Sequence, residues 1–218
     1  MGLKNNYSIK RISYKEAMEI VVEKHYLHRK SKCSYSFGLF KNDSEEILGV
    51  VVYGIPASYT LCKGLCGQEE SKNVYELTRL WVDDSVPKNG ESFLIGNTIK
   101  QLDKEIVVSF ADTKESHIGM VYQASNWIYT GLTKKIAYTT IEGLEDKHSR
   151  HSFGKHKQKK IAEESENVSF VRKERSQKHR YVYFNAKGKR KRELLSLLKY
   201  PTHPYPKQHQ SEDARNVS

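Results

Sequence analysis

The hydrophobic pattern of the chain is clearest between Ile106 and Gly131. Ile106–Phe110 is a short apolar run that begins with three branched residues, which predicts a strand buried on both faces. The polar residues Asp112 and Thr113 follow it. Five residues then recur at helical spacing before Gly131, a residue typical of helix ends: Ile118, Val121, Tyr122, Ser125 and Tyr129. The pattern therefore predicts a buried strand followed by a helix over residues 118–131.

The chain before this stretch predicts a helix, a hairpin and a loop. Ser13–Glu16 has the spacing of a capping box and precedes an apolar face, which predicts a helix to about Tyr26. Tyr35–Phe40 and Ile47–Ile55 flank a polar turn and predict two strands of a hairpin. Pro56–Asn73 contains two glycines and is predicted to be a loop.

The next residues predict another strand and another helix. Val74–Asp83 alternates, which would place Glu76, Thr78 and Leu80 on one face and Leu77, Arg79 and Trp81 on the other. A turn that begins at Pro87 precedes a helix predicted to reach about Lys104. Ile136–Ile141 predicts a further strand. The order helix, hairpin, strand, helix, strand, helix, strand indicates an α/β fold with a mixed central sheet flanked by helices.

The charge of the chain is concentrated in its last third. The 218 residues have a net charge of +11. Residues 1–147 carry 19 Lys and Arg and 19 Asp and Glu, whereas residues 148–218 carry 18 basic and 7 acidic residues. This division predicts a neutral core over 1–147, a basic extension that binds nucleic acid over 148–200 and a disordered tail over 201–218. Within the extension, Tyr181–Asn185 predicts a last strand of the sheet and Glu193–Leu198 a short helix.

Composition excludes several classes of protein. No run of 18 apolar residues is present, and the amino terminus lacks the apolar stretch of a signal peptide, so we expect a cytoplasmic protein without a membrane span. Three cysteines do not form a disulfide framework, and Cys62 and Cys66 lack the second ligand pair of a zinc site. His25 and His28 share a helical face, so they could bind a metal, although an exposed position favoured by the helix dipole is the better interpretation of His28, and a requirement for metal stays open.

Candidate chemistry concentrates where the strand that ends at Asp112 meets the following helix. His117, Tyr122 and Asn126 lie near this carboxylate in the predicted joint, and the carboxyl ends of strands are where open α/β sheets bind ligands. Arg79, in mid-strand, could pair with a carboxylate across the sheet or present its guanidinium to an anion. The turn with Asn89, Gly90 and Ser92 could supply backbone amides to a phosphate.

The chain resembles the Gcn5-related N-acetyltransferase (GNAT) superfamily of acyltransferases and, within it, the phage Mom proteins. The stretches that carry the resemblance cover roughly Ser13–Ile141, and the most specific is Val121–Trp127. The others are His25–Leu27, Gly49–Gly54, Glu76–Asp83, Pro87–Gly96, Ser109–Thr113 and His117–Gly131.

The resemblance implies an enzyme that modifies the exocyclic N6 amino group of adenine in double-stranded DNA and so protects phage DNA from restriction. It implies functional positions at His25, Tyr26, Arg79, Ser109, Asp112 and Tyr122. It also implies acetyl-CoA or another acyl-CoA as the donor. The turn over residues 86–96 departs from the family pattern, because its only glycines are Gly90 and Gly96.

The residue types fit a transfer to adenine. The amino group of adenine is a poor nucleophile, so an enzyme must remove a proton as the bond forms, and Asp112 or His25 could be that base. Tyr122 could donate a proton to a departing thiolate. Duplex adenine must be flipped to be reached, and Tyr26, Tyr35 or Trp127 could form aromatic walls for it.

Basic clusters interleaved with aromatic residues predict the DNA contacts. The candidate residues are Lys155, Lys157, Lys159, Lys160, Lys189, Arg190, Lys191 and Arg192. Two other functions stay open on the sequence. One is an acetyltransferase that acts on a protein or a small amine, and the other is a DNA-binding module without enzymatic activity.

Overall fold

A computed structural model describes residues 2–141 and 170–207 of the chain. Its strands are β1 (Tyr7–Arg11), β2 (Tyr35–Lys41), β3 (Ile47–Gly54), β4 (Val74–Val82), β5 (Ile106–Asp112), β6 (Ile128–Leu132), β7 (Ile136–Ile141), β8 (Phe170–Arg175) and β9 (Lys178–Phe184). Its α-helices are α1 (Leu3–Asn6), α2 (Tyr14–Lys24), α3 (Tyr59–Cys66), α4 (Gly90–Thr98), α5 (Met120–Ala124) and α6 (Gly188–Leu197). Short 3₁₀ turns lie at Glu69–Lys72, Ile99–Gln101 and Thr113–Glu115.

Seven strands form one mixed sheet in the order β1-β2-β3-β4-β5-β9-β6. Only β4 and β5 are parallel neighbours, and the other pairs are antiparallel. The two remaining strands, β7 and β8, form a separate antiparallel ribbon. The mixed α/β sheet expected from the hydrophobic pattern is therefore confirmed.

Helices cover both faces of the sheet, and the alternation of apolar residues on the central strands explains why. On β3, Val51 and Tyr53 face the cluster that holds α4, whereas Val50 and Val52 pack on α2. On β5, Ile106 packs in the cluster formed with α3 and α6, while Val107 faces the α4 side. A strand buried on both faces reads as a continuous apolar run, which is the pattern that predicted β3 and β5.

The capping box predicted before α2 is present. Ser13 Oγ accepts a hydrogen bond from the Glu16 amide at 3.2 Å, and the Ser13 amide donates to the Glu16 carboxylate at 2.8 Å. These bonds satisfy two amide groups that would otherwise have no partner at the start of the helix. The helix that they start carries His25 and Tyr26 at its far end.

The predicted helix over residues 118–131 is wrong beyond its first turns. Helix α5 ends at Ala124, Asn126 adopts a left-handed conformation, and residues 128–132 form the strand β6. Tyr129 lies opposite Tyr181 in the antiparallel pair of β6 with β9. Pairing with a strand so distant in sequence overrides the local helical spacing. Ile136–Ile141 is a strand, as predicted, but it pairs with β8 in the separate ribbon and not within the main sheet.

Three further differences from the sequence predictions concern single elements. The stretch predicted to be a loop between Pro56 and Asn73 contains α3, whose Cys62, Leu65 and Cys66 are buried. The strand predicted at Tyr181–Asn185 exists as β9, which begins three residues earlier at Lys178 and lies between β5 and β6. In β4, the pairing with β3 shifts register after Leu77, so that Leu77 and Leu80 pack on the same face. This bulge corrects the strict alternation expected for β4.

The carboxyl-terminal residues described by the structure pack on the body of the protein. The His203 amide donates to the Tyr129 carbonyl at 3.0 Å, and the Tyr205 hydroxyl donates to the Trp127 carbonyl at 2.7 Å. Gln123 Nε2 donates to the Pro206 carbonyl at 3.3 Å. Residues 201–207 are thus bound to α5 and β6, in contrast to the disorder expected for them.

Helix α6 is attached to the sheet by one of its basic residues. Arg190 forms ion pairs with Glu70 at 2.8 Å and with Glu105 at 2.7 Å. Asn73 donates hydrogen bonds to both of these carboxylates, so the four side chains form one network. Arg190 was predicted to contact DNA, but its guanidinium is already paired inside the protein.

We expect Arg190→Ala to lower the free energy of unfolding by about 1–2 kcal/mol, because charge-assisted hydrogen bonds to two carboxylates are lost at a site that solvent still partly screens. The exposed neighbour Arg192 provides the matched control, and Arg192→Ala should change the value by less than about 0.5 kcal/mol. Urea denaturation of both variants measures the difference. Equal stability of the two variants would show that the network does not hold α6.

Candidate functional site

A pocket opens where the two parallel strands of the sheet separate. β4 and β5 pair only between residues 74–76 and 106–108. Beyond that point β4 stays paired with β3 as far as Val82, and β5 stays paired with β9 as far as Asp112. The strands therefore diverge toward their carboxyl ends and leave a cavity of about 360 Å³, a volume within the range of small-molecule sites.

Five segments line this pocket. The residues are His25 and Tyr26 after α2, Leu77, Thr78, Arg79 and Leu80 of β4, Glu91 of α4, Phe110 and Ala111 of β5, and the continuous segment 116–122 that leads into α5. Ligand sites of open α/β sheets lie at the carboxyl ends of strands, which is where the sequence placed this one.

Ser109 lies behind the pocket lining and connects two of its residues. Its Oγ lies 3.0 Å from the Leu77 carbonyl oxygen and 2.8 Å from Tyr122 Oη. The serine hydroxyl thus bridges the two strands at the point where their backbones stop pairing. Tyr122 is buried, and burial raises the pKa of its phenol to about 12, so it keeps its proton at neutral pH.

The segment before α5 is rigid because aromatic side chains pack beneath it. Gly119 has a φ of 75°, and a Cβ at this position would lie 2.5 Å from the Tyr181 ring. The Tyr181 hydroxyl donates a hydrogen bond to the Ile118 carbonyl, and Gln123 Nε2 reaches the same carbonyl at 3.1 Å. The backbone that carries Met120 and Tyr122 is therefore fixed in a conformation that favours glycine.

His25 is neutral in this site. It is buried, and its Nδ1 accepts a hydrogen bond from the Leu27 amide at 3.1 Å, which leaves Nε2 as the nitrogen that carries the proton. Burial, together with the positive charge of Arg79, lowers the pKa of His25 to about 4. At neutral pH the ring is thus a hydrogen-bond donor at Nε2.

Tyr26 forms an open aromatic wall at the mouth of the pocket. Its ring stacks on His25 with centroids 4.4 Å apart and meets the edge of the His117 ring at 5.3 Å. The side chain is 41% exposed. Burial of its hydroxyl end and the nearby Asp112 charge raise the pKa of the phenol. The other proposed walls lie elsewhere, since Trp127 is enclosed between Tyr122 and Tyr183 and Tyr35 packs on Phe37 and Tyr75.

Arg79 presents a cation to the pocket without a carboxylate partner among the described residues. Its guanidinium donates to the carbonyls of Arg29, Lys30 and Thr78 at distances between 2.6 and 3.4 Å. Carbonyl groups hold the guanidinium in place without neutralising its charge. Of the two arrangements considered from the sequence, the pair with a carboxylate across the sheet is not seen among the described residues, and presentation of the guanidinium to an anion stays a prediction.

The sequence grouped Asp112 with the pocket, but it is not among the residues that line the cavity. Its carboxylate forms an ion pair with Lys178 at 3.3 Å and accepts a hydrogen bond from the Lys114 amide at 3.0 Å. Burial opposes its ionisation, yet hydrogen bonds from Ser176 and the Lys114 amide, with the Lys178 charge, hold the pKa of Asp112 below its usual value. The geometry gives Asp112 the role of fixing the turn that leads to His117.

The remaining predicted residues lie apart from the pocket. Asn89 is the left-handed residue before α4, Ser92 Oγ donates to the Asn89 carbonyl at 3.0 Å, and Asn126 forms the turn between α5 and β6. Gly90 is buried, and a Cβ there would lie 2.6 Å from Val86. Lys189, Lys191 and Arg192 lie on α6 with Arg190, while Lys155, Lys157, Lys159 and Lys160 lie outside the described residues.

Several pocket residues were missed by the sequence analysis as functional positions. They are Thr78, Glu91, Phe110, His117 and Met120. His117 was recognised in the strand–helix joint but was given no role. Among the residues that the structure describes, no group of three or more His, Cys, Asp or Glu is arranged to hold a metal ion, and no helix is long and apolar enough to cross a membrane.

Comparisons with known proteins give a family match and several structural overlaps. The model of the Mom protein family matches residues 6–207. The methylcarbamoylase Mom of Escherichia phage Mu is 28% identical over 208 residues, which are 91% of this chain and 83% of that protein.

Several solved structures that align with the chain are acetyltransferases. Arabidopsis thaliana NAA60 in complex with a bisubstrate analogue has a TM-score of 0.49 and 12% identity, over 82% of this chain and 97% of that one. A Staphylococcus aureus Mu50 N-acetyltransferase has a TM-score of 0.46 and 12% identity, over 83% and 99%. A GNAT family acetyltransferase from Elizabethkingia anophelis with acetyl-CoA bound has a TM-score of 0.45 and 11% identity, over 83% and 99%.

We expect Asp112→Asn to lower the free energy of unfolding by about 1 kcal/mol at neutral pH, because the ion pair with Lys178 is lost. The folded carboxyl has a lowered pKa, so its stabilisation is present above the unfolded pKa of about 3.9 and is lost as the pH falls through the folded value. Denaturation curves of wild type and variant should therefore converge as the pH falls below about 4.

Asp84→Asn is the matched control for this prediction, because Asp84 is exposed. This substitution should leave the free energy of unfolding nearly unchanged at every pH. If Asp112→Asn kept full stability while modification of DNA was abolished, Asp112 would act in the chemistry rather than as a support of the turn.

Proposed function

Because the chain belongs to the Mom protein family, we propose that it is a DNA-modifying transferase that attaches a small carbonyl-bearing group to the exocyclic N6 of adenine in double-stranded DNA. The observation that carries the proposal is the pocket at the β4–β5 split, which combines an open aromatic wall, a fixed cation and a neutral imidazole donor. By analogy with the relative from phage Mu, the reaction would protect phage DNA inside the host cytoplasm.

The size and lining of the pocket suit a base taken out of the duplex. An enzyme cannot reach the amino group of a stacked, paired adenine without extruding the nucleotide into a pocket. A cavity of about 360 Å³ with an exposed tyrosine ring at its mouth supplies the enclosure and the stacking surface that a flipped base requires. Tyr26 is the wall that we assign to the base, since its ring is both exposed and braced from behind by His25.

Arg79 and His25 suit the charge that develops during transfer to a nitrogen nucleophile. Attack of the amino group on the carbonyl carbon of a donor moves electrons onto the carbonyl oxygen. These electrons return as the bond from that carbon to the donor's leaving group breaks, and the nitrogen loses a proton. Donors held in advance near that oxygen stabilise the transition state, because they need no reorganisation. The guanidinium of Arg79 is held by three backbone carbonyls, and the Nε2–H group of His25 is fixed by the bond at its other nitrogen.

His117 is the residue that we assign as acceptor of the proton from the amino group. Imidazole is the commonest general base, and His117 lies in the pocket lining against Tyr26. His25 is less suited to this role, because its Nδ1 already accepts a hydrogen bond from Leu27. The carboxylate of Asp112 supports His117 only through the backbone, where the His117 amide donates to the Asp112 carbonyl at 3.2 Å.

An acyl derivative of coenzyme A was expected as the donor. The turn before α4 is where its diphosphate would bind, so the residues of this turn show whether coenzyme A fits. The diphosphate of coenzyme A needs backbone amides that approach closely and a positive or neutral environment. Here Gly90 is packed against Val86, and Glu91 places a carboxylate in the first turn of the helix. These residues do not fit the diphosphate, and nothing in the proposed chemistry depends on coenzyme A.

Mass spectrometry of nucleosides tests the proposed function directly. DNA from cells that express the chain should contain a new derivative of deoxyadenosine, absent from cells with the empty vector. Unmodified adenosine together with acetylated protein or small amines would instead indicate an acetyltransferase with another acceptor.

Tyr26 variants test the place of the base. Loss of a stacking partner costs roughly 1–3 kcal/mol per base, so Tyr26→Ala should reduce modified adenosine by roughly 5- to 100-fold. Tyr26→Phe is the matched control, since it keeps the ring without the hydroxyl and should stay within about threefold of wild type. Equal loss in both variants would assign the role to the hydroxyl rather than to stacking.

A further inference from the structure

The two ends of β5 separate the basic helix from the pocket. Arg190 of α6 pairs with Glu105, immediately before β5 begins, whereas the pocket opens where β5 ends at Asp112. A strand of seven residues spans roughly 20–25 Å. The basic residues of α6 therefore lie at the opposite end of the sheet from the site that would receive the adenine.

The β7–β8 ribbon stands at the same end of the sheet as the pocket. Lys178, which begins β9 just after the ribbon, is paired in register with Asp112 and forms an ion pair with it. The Thr113 hydroxyl and amide both donate to the Gln177 carbonyl, at 2.8 and 3.2 Å. Gln177 Nε2 donates to the Thr133 carbonyl at 2.7 Å, which ties the two ends of the ribbon together. The base of the ribbon is thus bonded to the segment that leads into the pocket.

The ribbon and its base are strongly basic. Residues 133–141 and 170–178 contain six Lys and Arg and one Glu. Lys134, Lys135 and Arg172 are exposed on it. Three more exposed basic residues, Arg29, Lys30 and Lys114, lie on the loops that border the pocket at this end. Exposed basic residues therefore lie on the loops beside the pocket, next to the carboxylates Glu91 and Glu115, and continue along the ribbon.

We propose that the β7–β8 ribbon is the arm that contacts the phosphates of duplex DNA and holds the target adenine over the pocket. The inference rests on the proposed function, because it identifies how the substrate of that site is held. Lysine and arginine along a duplex neutralise phosphates, and a two-stranded β-ribbon has the width that the major groove admits. Arg175 lies over the Tyr138 ring across the two strands at 5.3 Å, a contact that stiffens the ribbon.

The inference assigns DNA contact to the ribbon rather than to α6. Helix α6 has the higher local density of basic residues, and the sequence predicted that these residues contact DNA. The helix lies at the end of the sheet opposite the pocket, however, and the ion pairs of Arg190 hold it there. Phosphates that contacted α6 would lie roughly 20 Å from the opening of the pocket, so they would not be those of the target nucleotide.

Two triple variants with equal loss of charge test the inference in the full chain. One is Lys134→Ala, Lys135→Ala and Arg172→Ala on the ribbon, and the other is Lys187→Ala, Lys189→Ala and Arg192→Ala at α6. All six residues are exposed, so both variants should keep the melting temperature of the wild type. Fluorescence anisotropy with a labelled random-sequence duplex of about 30 base pairs, from about 50 to 200 mM salt, gives the slope of log affinity against log salt.

The ribbon variant should bind more weakly and flatten the slope by about two to three, since each lost phosphate contact removes about 0.9. The α6 variant should keep a slope within about one of wild type. A flattened slope in the α6 variant with an unchanged slope in the ribbon variant would overturn the inference. Nucleoside analysis with the wild-type chain separates the two proposals, because absence of modified adenosine would refute the proposed function whatever the slopes show.

Discussion

The separation of the two parallel strands β4 and β5 determines where the pocket lies and which side chains line it. β4 and β5 pair over only three residues each, and both then remain bonded to their outer neighbours while they diverge. The backbone groups freed at the split need partners, because an unpaired buried polar group is costly. Ser109 supplies one to the Leu77 carbonyl and is itself bonded to Tyr122. Ser109 therefore connects β4 to β5 where the two strands separate, and it also holds α5 in position through Tyr122.

The charges around the pocket follow from this geometry. The bulge in β4 turns Thr78 and Arg79 toward the loop after α2, where Thr78 Oγ1 bonds to Ser31 Oγ and the guanidinium meets backbone carbonyls. That cation, together with burial, keeps His25 neutral by lowering its pKa. The pocket consequently contains a guanidinium that has no ion-pair partner among the described residues and a neutral imidazole donor, an arrangement suited to developing negative charge on a carbonyl oxygen.

The sequence could predict those features that depend on neighbours along the chain. The capping box of α2, the buried strand β5 and the hairpin of β2 and β3 are local patterns, and all are present. The features that it could not predict depend on distant partners. Tyr129 lies in a strand because it pairs with Tyr181 of β9, and Asp112 forms an ion pair with Lys178. The partners of charged residues could not be predicted for the same reason. Nothing in the basic sequence of α6 indicates that Arg190 pairs with the distant residues Glu70 and Glu105.

The most direct test of the account is to locate the target base on the protein. Duplex DNA that carries a photoreactive adenine analogue at random positions can be crosslinked to the full chain, and the modified peptides can be mapped by mass spectrometry. The account predicts crosslinks in the pocket lining, at Tyr26, in β4 near Arg79 or in the segment 116–122. Crosslinks confined to α6, with none in the pocket lining, would contradict it.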